Sequence, residues 1–162
     1  MLPISAATRL FQMEFRSLRE PDLDQLLALY RQLDPGDKET PLTDAAARWQ
    51  QIKNIPGSDI IVGCLDDRIV TSCTLIVIPN ITRGGLPYAL IENVVTDAAL
   101  RNRGLGTTLL KEAAQRAWNS GCYKVMLLTG SKKPEVLAFY EKAGFEQNKT
   151  GFQMRRLPRR ME

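Results

Sequence analysis

Three strand-like runs in the middle of the chain restrict its fold more than any other feature. Residues 60–65 and 69–78 are rich in apolar and β-branched side chains, and the polar residues 66–68 form a tight turn between them. This pattern predicts a β-hairpin. A third run follows at Tyr88–Thr96, after a loop at residues 80–87. Together these runs predict a sheet at the centre of the fold.

Helical patterns flank these strands, with apolar side chains at three- and four-residue steps. They cover residues 20–33, 43–55, 104–120 and 134–142. Further strand patterns lie at 12–17 and 123–129, and a closing strand or hairpin is expected from Phe145 onward. The order predicts one mixed α/β (α+β) domain over residues 12–157. Residues 1–11 are expected to be a flexible N-terminus and residues 158–162 a basic tail.

The composition excludes several kinds of catalytic site. The chain has 162 residues and 44% hydrophobic side chains, which suits one globular core. It contains no histidine, which excludes a Ser-His-Asp triad, a Cys-His pair and any zinc site that uses histidine. We expect no metal. Proton transfers must therefore use carboxylate, tyrosine, cysteine, lysine or water.

The positive charge is concentrated at one end of the chain. Residues 155–162, RRLPRRME, hold four arginines and one glutamate and so account for +3 of the net charge of +4. The rest of the chain is nearly neutral. The tail fits either a solvated chain end or a contact with nucleic acid. We expect the first, and do not expect nucleic acid as a partner.

The cysteines and the apolar runs indicate a reducing compartment. The three cysteines have no CxxC spacing, and Cys64 and Cys73 lie in apolar runs, so we expect small core residues. Residues 1–11 do not resemble a signal peptide, and no apolar run approaches the roughly 20 residues of a membrane span. A cytoplasmic location without membrane attachment is the expectation.

The main functional pattern lies between Tyr88 and Leu110. A strand leads into a polar turn and then into Arg101-Asn102-Arg103-Gly104-Leu105-Gly106 at the start of an amphipathic helix. Free N–H groups and the helix dipole favour an anion there. Gly104 and Gly106 let a phosphate approach the backbone, and Arg101 and Arg103 add positive charge. The segment predicts a pyrophosphate site.

Two common phosphate-binding motifs do not fit this segment. No GxxxxGK[ST] string occurs in the chain, which excludes a Walker A loop. A dinucleotide fingerprint needs a third glycine where Leu109 stands, and an acidic residue where the next strand ends in Thr129. A glycine-rich helix cap without a ligand remains the simpler alternative.

Two motifs together resemble the GCN5-related N-acetyltransferases (GNAT). Arg101-x-x-Gly104-x-Gly106 is similar to that family's acetyl-CoA-binding motif, and FYEKAGF at residues 139–145 is similar to its FYEKxGF segment after the fifth strand. The resemblance covers residues 59–157 well and residues 12–58 by element order. It implies the GNAT fold: a central mixed, mostly antiparallel twisted sheet flanked by helices, splayed at the strands before and after the acetyl-CoA-binding helix.

The resemblance also implies which residues hold acetyl-CoA. Backbone amides would bind the pyrophosphate, beside the charge of Arg101, and these are the amides of Arg103, Gly104, Leu105, Gly106 and Thr107. The strand backbone that pairs with the pantetheine arm would be that of Val94, Val95 and Thr96. Lys133 stands where the family often has an asparagine, and Lys132 or Lys133 is in reach of a CoA phosphate.

Two residues are candidates for moving protons. The resemblance implies that Tyr140 protonates the departing CoA thiolate; the alternative is a buried aromatic whose hydroxyl bonds the backbone. Glu92 is the candidate base, because strand alternation places Leu90, Glu92 and Val94 on one face among apolar neighbours. The alternative is a structural glutamate paired with an arginine or a core hydrogen bond. We expect sequential, direct transfer.

The acceptor is less well defined by the sequence. We expect the primary amine of a small molecule. Residues 91–95 and 121–125 are similar to glucosamine-6-phosphate N-acetyltransferases, but those enzymes carry an acid where this chain has Asn93 and differ at residues 129–131. An amino-sugar phosphate is therefore the alternative acceptor, and a non-catalytic CoA-binding or regulatory module also stays open. The family resemblance implies a homodimer.

Overall fold

The computed structural model describes residues 13–157, which form one sheet with helices on both faces. The strands are β1 (Met13–Ser17), β2 (Asp59–Leu65), β3 (Arg68–Ile78), β4 (Tyr88–Thr96) and β5 (Val125–Leu127). The helices are α1 (Leu23–Tyr30), α2 (Leu42–Lys53), α3 (Leu105–Asn119) and α4 (Pro134–Lys142). The predictions for residues 1–11 and for the tail at 158–162 lie outside the described residues.

The sheet has the order β1-β2-β3-β4-β5. Neighbouring strands from β1 to β4 are antiparallel, with a tight turn joining β2 to β3, and β5 runs parallel to β4 after the crossover through α3. The sheet is therefore mixed and mostly antiparallel. This confirms the fold class expected from the sequence.

Each face of the sheet has its own hydrophobic core. The core on the α3 face joins Leu109, Ala113 and Ala117 of α3 to β2, β3 and β4, and α4 packs against it through Phe139 and Tyr140. The core on the α1 face joins α1 and α2, including Trp49, to residues such as Ile60 and Val62 of β2 and Val95 of β4, and Tyr30 packs against its edge. No helix within residues 13–157 is long and apolar enough to cross a bilayer.

The helices begin and end close to where the sequence predicts. Pro134 suits the first turn of α4, and α4 and β4 have the expected bounds, while α3 is within one residue of them. The strand β5 is shorter than the predicted 123–129, since only three residues pair with β4. Cys122, just before it, is buried in the α3-face core, and so is Cys73 of β3.

The predicted closing strand from Phe145 onward is wrong for the described chain. Residues 145–157 form neither strand nor helix. Phe145 packs against the α3-face core, but the side chains of Phe152 and Met154 are 95% and 100% exposed. A strand needs a neighbouring backbone for its hydrogen bonds, and this segment pairs with no strand among residues 13–157.

A partly buried ion pair fixes the start of α1 to the first strand. The guanidinium of Arg16 donates to both carboxylate oxygens of Asp22, at 2.6 and 3.0 Å, and the amide of Arg19 donates to the same carboxylate at 2.8 Å. These contacts, chiefly the bond from Arg16, hold the pKa of Asp22 below its ordinary value of 3.8. A second guanidinium, that of Arg116 in α3, bridges Asp59 of β2 and Glu112.

We expect Asp22→Asn to lower the free energy of unfolding by about 2 kcal/mol near neutral pH, because it leaves a partly buried arginine without its counter-charge. A depressed folded pKa stabilises the protein above pH 3.8, and this stabilisation is lost as pH falls through the lower folded value. The difference between the two proteins in urea denaturation should therefore shrink in acid. Asp24→Asn, at an exposed position on the same helix, is the matched control and should change stability by less than about 0.5 kcal/mol. An equal loss in both variants would contradict this account.

Candidate active site

The N-terminus of α3 presents unpaired backbone amides to solvent. Gly104 lies just before the helix with φ of 80°, a left-handed conformation that favours glycine. A Cβ built at this residue meets no atom within 4 Å, so its backbone is open. The amide of Thr108 bonds the carbonyl of Gly104 at 3.0 Å, which leaves the three preceding helical amides without an acceptor inside the helix. Arg101 and Arg103, both exposed, add positive charge beside them.

Gly106 has a packing role that the sequence did not reveal. It is buried, and a Cβ at this position would lie 3.0 Å from Cζ of Phe139 and 3.4 Å from Oγ1 of Thr96. The ring of Phe139 in α4 therefore occupies the space of the missing side chain. The two sequence motifs meet at this contact, which brings the start of α3, the end of β4 and α4 together.

The strand β4 loses its neighbour halfway along its length. Residues 89–91 pair with residues 125–127, and beyond Ile91 no strand among residues 13–157 lies on that side. The last residues of β4 are held from the opposite side, since the hydroxyl of Thr71 donates to the carbonyl of Val95 at 2.9 Å and contacts Oγ1 of Thr96 at 2.9 Å. Arg101 Nε donates to the carbonyl of Thr96 at 3.1 Å. The outer edge of β4 from Glu92 onward is left without a strand beside it.

A β-bulge sits in the middle of this open edge. Val95 faces Ser72 and Glu92 faces Thr74, so three steps along β4 correspond to two along β3. Asn93 absorbs the extra residue with φ of 54°, a conformation that asparagine tolerates better than most residues. The bulge changes which face each later side chain of β4 points to.

The bulge corrects the prediction for Glu92. Val94 packs with the α3-face core and Val95 with the α1-face core, so Leu90, Glu92 and Val94 do not share one apolar face. The side chain of Glu92 is exposed. The structural alternative is not found either, because Glu92 has no arginine partner and no side-chain hydrogen bond among residues 13–157. The carboxylate is free to meet a ligand.

Tyr140 lies close to this carboxylate. Its ring is half-buried and stacks at a tilt against Phe139, with 4.9 Å between the ring centroids. Burial, and secondly the negative charge of Glu92, raise the pKa of Tyr140 above 10.0, so the phenol keeps its proton at neutral pH. No hydrogen bond joins its hydroxyl to any part of the described chain. The hydroxyl is available as a proton donor.

The remaining candidates lie at the edge of the site or outside it. Lys133 is exposed at the N-terminus of α4, after the loop that follows β5. The three cysteines are buried. Burial raises the pKa of each thiol, to about 12 for Cys73. None of the thiols is an active nucleophile in this environment.

Sequence reasoning missed two polar residues next to the site. Thr71 ties β3 to the end of β4 through its hydroxyl, and Thr74 lies opposite Glu92 with its hydroxyl buried and unpartnered. Both lie in a run of apolar and small residues whose pattern predicts a buried strand. Their hydroxyl groups within that run were the signal that could have pointed to them.

Comparison with known proteins agrees with this geometry. The model of the Acetyltransferase (GNAT) family matches residues 22–145 of the chain. This chain belongs to the GNAT acetyltransferase family. The match spans both cores of the sheet, the start of α3 and all of α4, and it supports the assignment of an acetyltransferase enzyme.

Individual members of the family resemble the chain over most of its length. A protein of Trypanosoma brucei brucei named glucosamine 6-phosphate N-acetyltransferase is 36% identical over 141 residues, which is 85% of this chain and 92% of that protein. A solved structure from Agrobacterium tumefaciens str. C58 has a TM-score of 0.83 at 46% identity, with 88% of this chain and 99% of that one covered. The aminoglycoside N-acetyltransferase AAC(6′)-Iy, solved in complex with CoA, shares the fold at 18% identity, with a TM-score of 0.74 over 97% of this chain and all of that one.

We expect Gly106→Ala to destabilise the protein by about 1–3 kcal/mol and to weaken CoA binding, since the new methyl group must displace Phe139 or the first turn of α3. Thermal unfolding and calorimetric titration with CoA measure the two effects. The double variant Gly106→Ala/Phe139→Leu should recover part of both losses, because leucine leaves more room. If Phe139→Leu adds its own loss without any recovery, the contact does not set the position of the helix.

Proposed function

We propose that this GNAT acetyltransferase moves an acetyl group from acetyl-CoA to the primary amine of a small molecule by direct transfer. One observation supports the proposal: Gly106 in the first turn of α3 meets Thr96 at the end of β4 and Phe139 of α4, beside the unpaired edge of β4. Free helix amides, an open strand edge and the helix that carries Tyr140 are thereby adjacent, and such an arrangement can bind a phosphate, an extended amide arm and a reacting thioester in sequence.

The main chain does most of the binding in this proposal. The amides at residues 103–107 hold the pyrophosphate, and Arg101 and Arg103 compensate its charge. The unpaired edge of Val94, Val95 and Thr96 pairs with the amides of the pantetheine arm as an added strand would. Lys133, at the same end of the sheet because β5 is parallel to β4, contacts a phosphate of CoA.

The exposed position of Glu92 suits a base that meets an incoming amine. Glu92, or a water molecule that it orients, takes the proton from the acceptor ammonium. The neutral nitrogen then bonds to the acetyl carbon, the carbon–sulfur bond breaks, and the nitrogen releases its second proton to solvent to become the amide. Tyr140 gives its proton to the departing thiolate. The phenolate then regains a proton from solvent and Glu92 returns its proton to solvent, so that one proton is released overall. Two products leave: the N-acetyl compound and free CoA.

A specific acceptor, glucosamine 6-phosphate, is the second candidate. The names and the high coverage of the trypanosomal relative, and of a rice relative 33% identical over 137 residues, favour it. Against it stand Asn93, at a position where those enzymes carry an acid, and the Thr129-Gly130-Ser131 segment. In this structure Asn93 is the residue of the bulge with φ of 54°, so the difference lies directly beside Glu92.

Release of free thiol from acetyl-CoA over a panel of amines tests the proposed function. The panel contains glucosamine 6-phosphate, polyamines, amino acids and aminoglycosides. Amine-dependent release with at least one of them is the expected result, and saturation at low concentration with glucosamine 6-phosphate alone would select the second candidate. CoA binding without release for every amine would instead support a non-catalytic CoA-binding module.

We expect Glu92→Gln to lower kcat/KM most at low pH, because at higher pH more of the acceptor is already neutral and needs no base.

Tyr140→Phe should lower kcat by about tenfold to a hundredfold with little change in the affinity for CoA. The pH dependence of thiol release measures both. Glu135→Gln, an exposed carboxylate at the start of α4, is the matched control and should behave as the parent protein. An unchanged pH profile in Glu92→Gln would remove Glu92 from the mechanism.

Self-association is a further part of the proposal. Phe152 and Met154 are almost fully exposed on a segment without regular structure, and exposed apolar side chains in such a group favour a protein–protein contact. We expect a homodimer in analytical ultracentrifugation. Phe152→Ser should weaken it, whereas a monomer at all concentrations would contradict it.

A further inference from the structure

The hydroxyl groups of β3 that face α1 fall into two kinds. Ser72 Oγ donates to the carbonyl of Ile61 at 3.0 Å and is satisfied. Thr74, two residues along on the same face, is 4% exposed, and its hydroxyl is buried with no hydrogen-bond partner in the described chain. A buried unpartnered hydroxyl costs stability, so its presence calls for a role outside folding.

A second unpartnered hydroxyl lies beside the first. Tyr30 of α1 reaches the sheet next to Thr74 and Ser72, and its hydroxyl too is buried without a hydrogen bond of good geometry. Burial raises the pKa of Tyr30, and the neighbouring hydroxyls of Thr74 and Ser72 partly oppose the rise. The Tyr30 hydroxyl therefore keeps its proton and can donate a hydrogen bond, and the Thr74 hydroxyl beside it can accept that bond and donate one in turn.

The register of the sheet places this pair next to the proposed base. Thr74 is directly opposite Glu92, and directly opposite residues of an antiparallel pair share a face with Cβ atoms about 4.5–5.5 Å apart. Ile91 and Leu75 point into the α3-face core, so Glu92 and Thr74 both point to the α1 face, where Tyr30 lies. Glu92 and Thr74 are therefore direct cross-strand neighbours on that face.

We propose that Thr74 and Tyr30 are positioning residues for Glu92: Thr74 donates a hydrogen bond to its carboxylate, and Tyr30 donates to Thr74. This inference rests on the proposed role of Glu92 as the base. The chain of donors holds the carboxylate at the α1 face of β4 in its charged form, ready to take the proton of the acceptor amine.

The titratable groups around Glu92 leave a clear pH window for the test. Tyr140 lies near it from α4, Tyr30 packs beside Thr74 from α1, and Cys73 neighbours Thr74 on β3. The pKa values of both tyrosines are raised above 10.0, and that of Cys73 is about 12. None of these three groups therefore accounts for a limb of the kcat/KM profile between roughly pH 5 and pH 9, and the proposal requires such a limb to depend on both Glu92 and Thr74.

Thr74→Val is the decisive variant, because valine has the same shape and lacks only the hydroxyl. Loss of the donor disfavours the charged carboxylate, so the limb due to Glu92 should move up by about one pH unit, with kcat/KM about tenfold lower on its acid side. The melting temperature should fall less than in Ser72→Ala, since the Thr74 hydroxyl makes no hydrogen bond in this structure. Thr74→Ser should restore the parent profile, and Tyr30→Phe should give a smaller displacement in the same direction.

Ser72→Ala is the matched control. It removes a hydroxyl on the same strand face that already bonds the backbone, so it should lower the melting temperature and leave the pH profile in place. A variant with a purely structural defect should behave like Ser72→Ala. A lower melting temperature with an unchanged pH profile in Thr74→Val would therefore overturn the positioning role.

The double variant Thr74→Val/Glu92→Gln separates this inference from the proposed function. If Thr74 acts through Glu92, adding Thr74→Val to Glu92→Gln has no further effect on thiol release, which supports the inference. An unaltered profile in Thr74→Val beside an impaired Glu92→Gln overturns the positioning role alone. An equal loss from Thr74→Val in both backgrounds also overturns it, because Thr74 would then act on the acceptor or CoA. Full activity in Glu92→Gln overturns the base assignment and this inference with it.

Discussion

The early separation of β5 from β4 is the constraint on which the rest of the site depends. The two parallel strands pair over three residues each, and beyond Ile91 no strand among residues 13–157 lies on the outer side of β4. The first turn of α3 and Phe139 of α4 meet at Gly106, next to Thr96 at the end of β4. Because Gly106 has no side chain, the ring of Phe139 packs against the start of α3 and holds the two helices together there.

In the proposed mechanism, the lack of histidine divides acid and base functions between groups in different environments. Glu92 is exposed and Tyr140 is half-buried, and the charge of the first raises the pKa of the second. In that mechanism the two proton transfers follow one another: once Glu92 has taken a proton its charge is gone, so Tyr140 becomes a stronger acid at the stage when a thiolate departs. Two ordinary side chains would thereby act in order without a histidine.

The sequence predicted the parts of this structure that local pattern determines. Apolar periodicity, Pro134 and Gly104 were enough to place α3, β4 and α4, and the Arg101-x-x-Gly104-x-Gly106 and FYEKAGF motifs brought the correct elements together. The errors have a common cause in contacts between distant segments. The alternation of side chains along a strand does not reveal the bulge at Asn93, although an asparagine in a strand is a signal for positive φ. The packing contact of Gly106 is with the ring of Phe139, 33 positions further along the chain, so local sequence does not reveal it. Residues 145–157 lack the neighbouring backbone that would make them a strand.

The burial of all three cysteines makes their reactivity a measure of whether the two hydrophobic cores are intact. Cys64, Cys73 and Cys122 belong to β2, β3 and the end of the α3 connection, and so to both faces of the sheet. A thiol reagent in solution reacts only slowly with thiols that are 0–8% exposed, and it reaches each one freely when the layer that covers it opens. The order in which they react under mild denaturant therefore reports which face of the sheet gives way first.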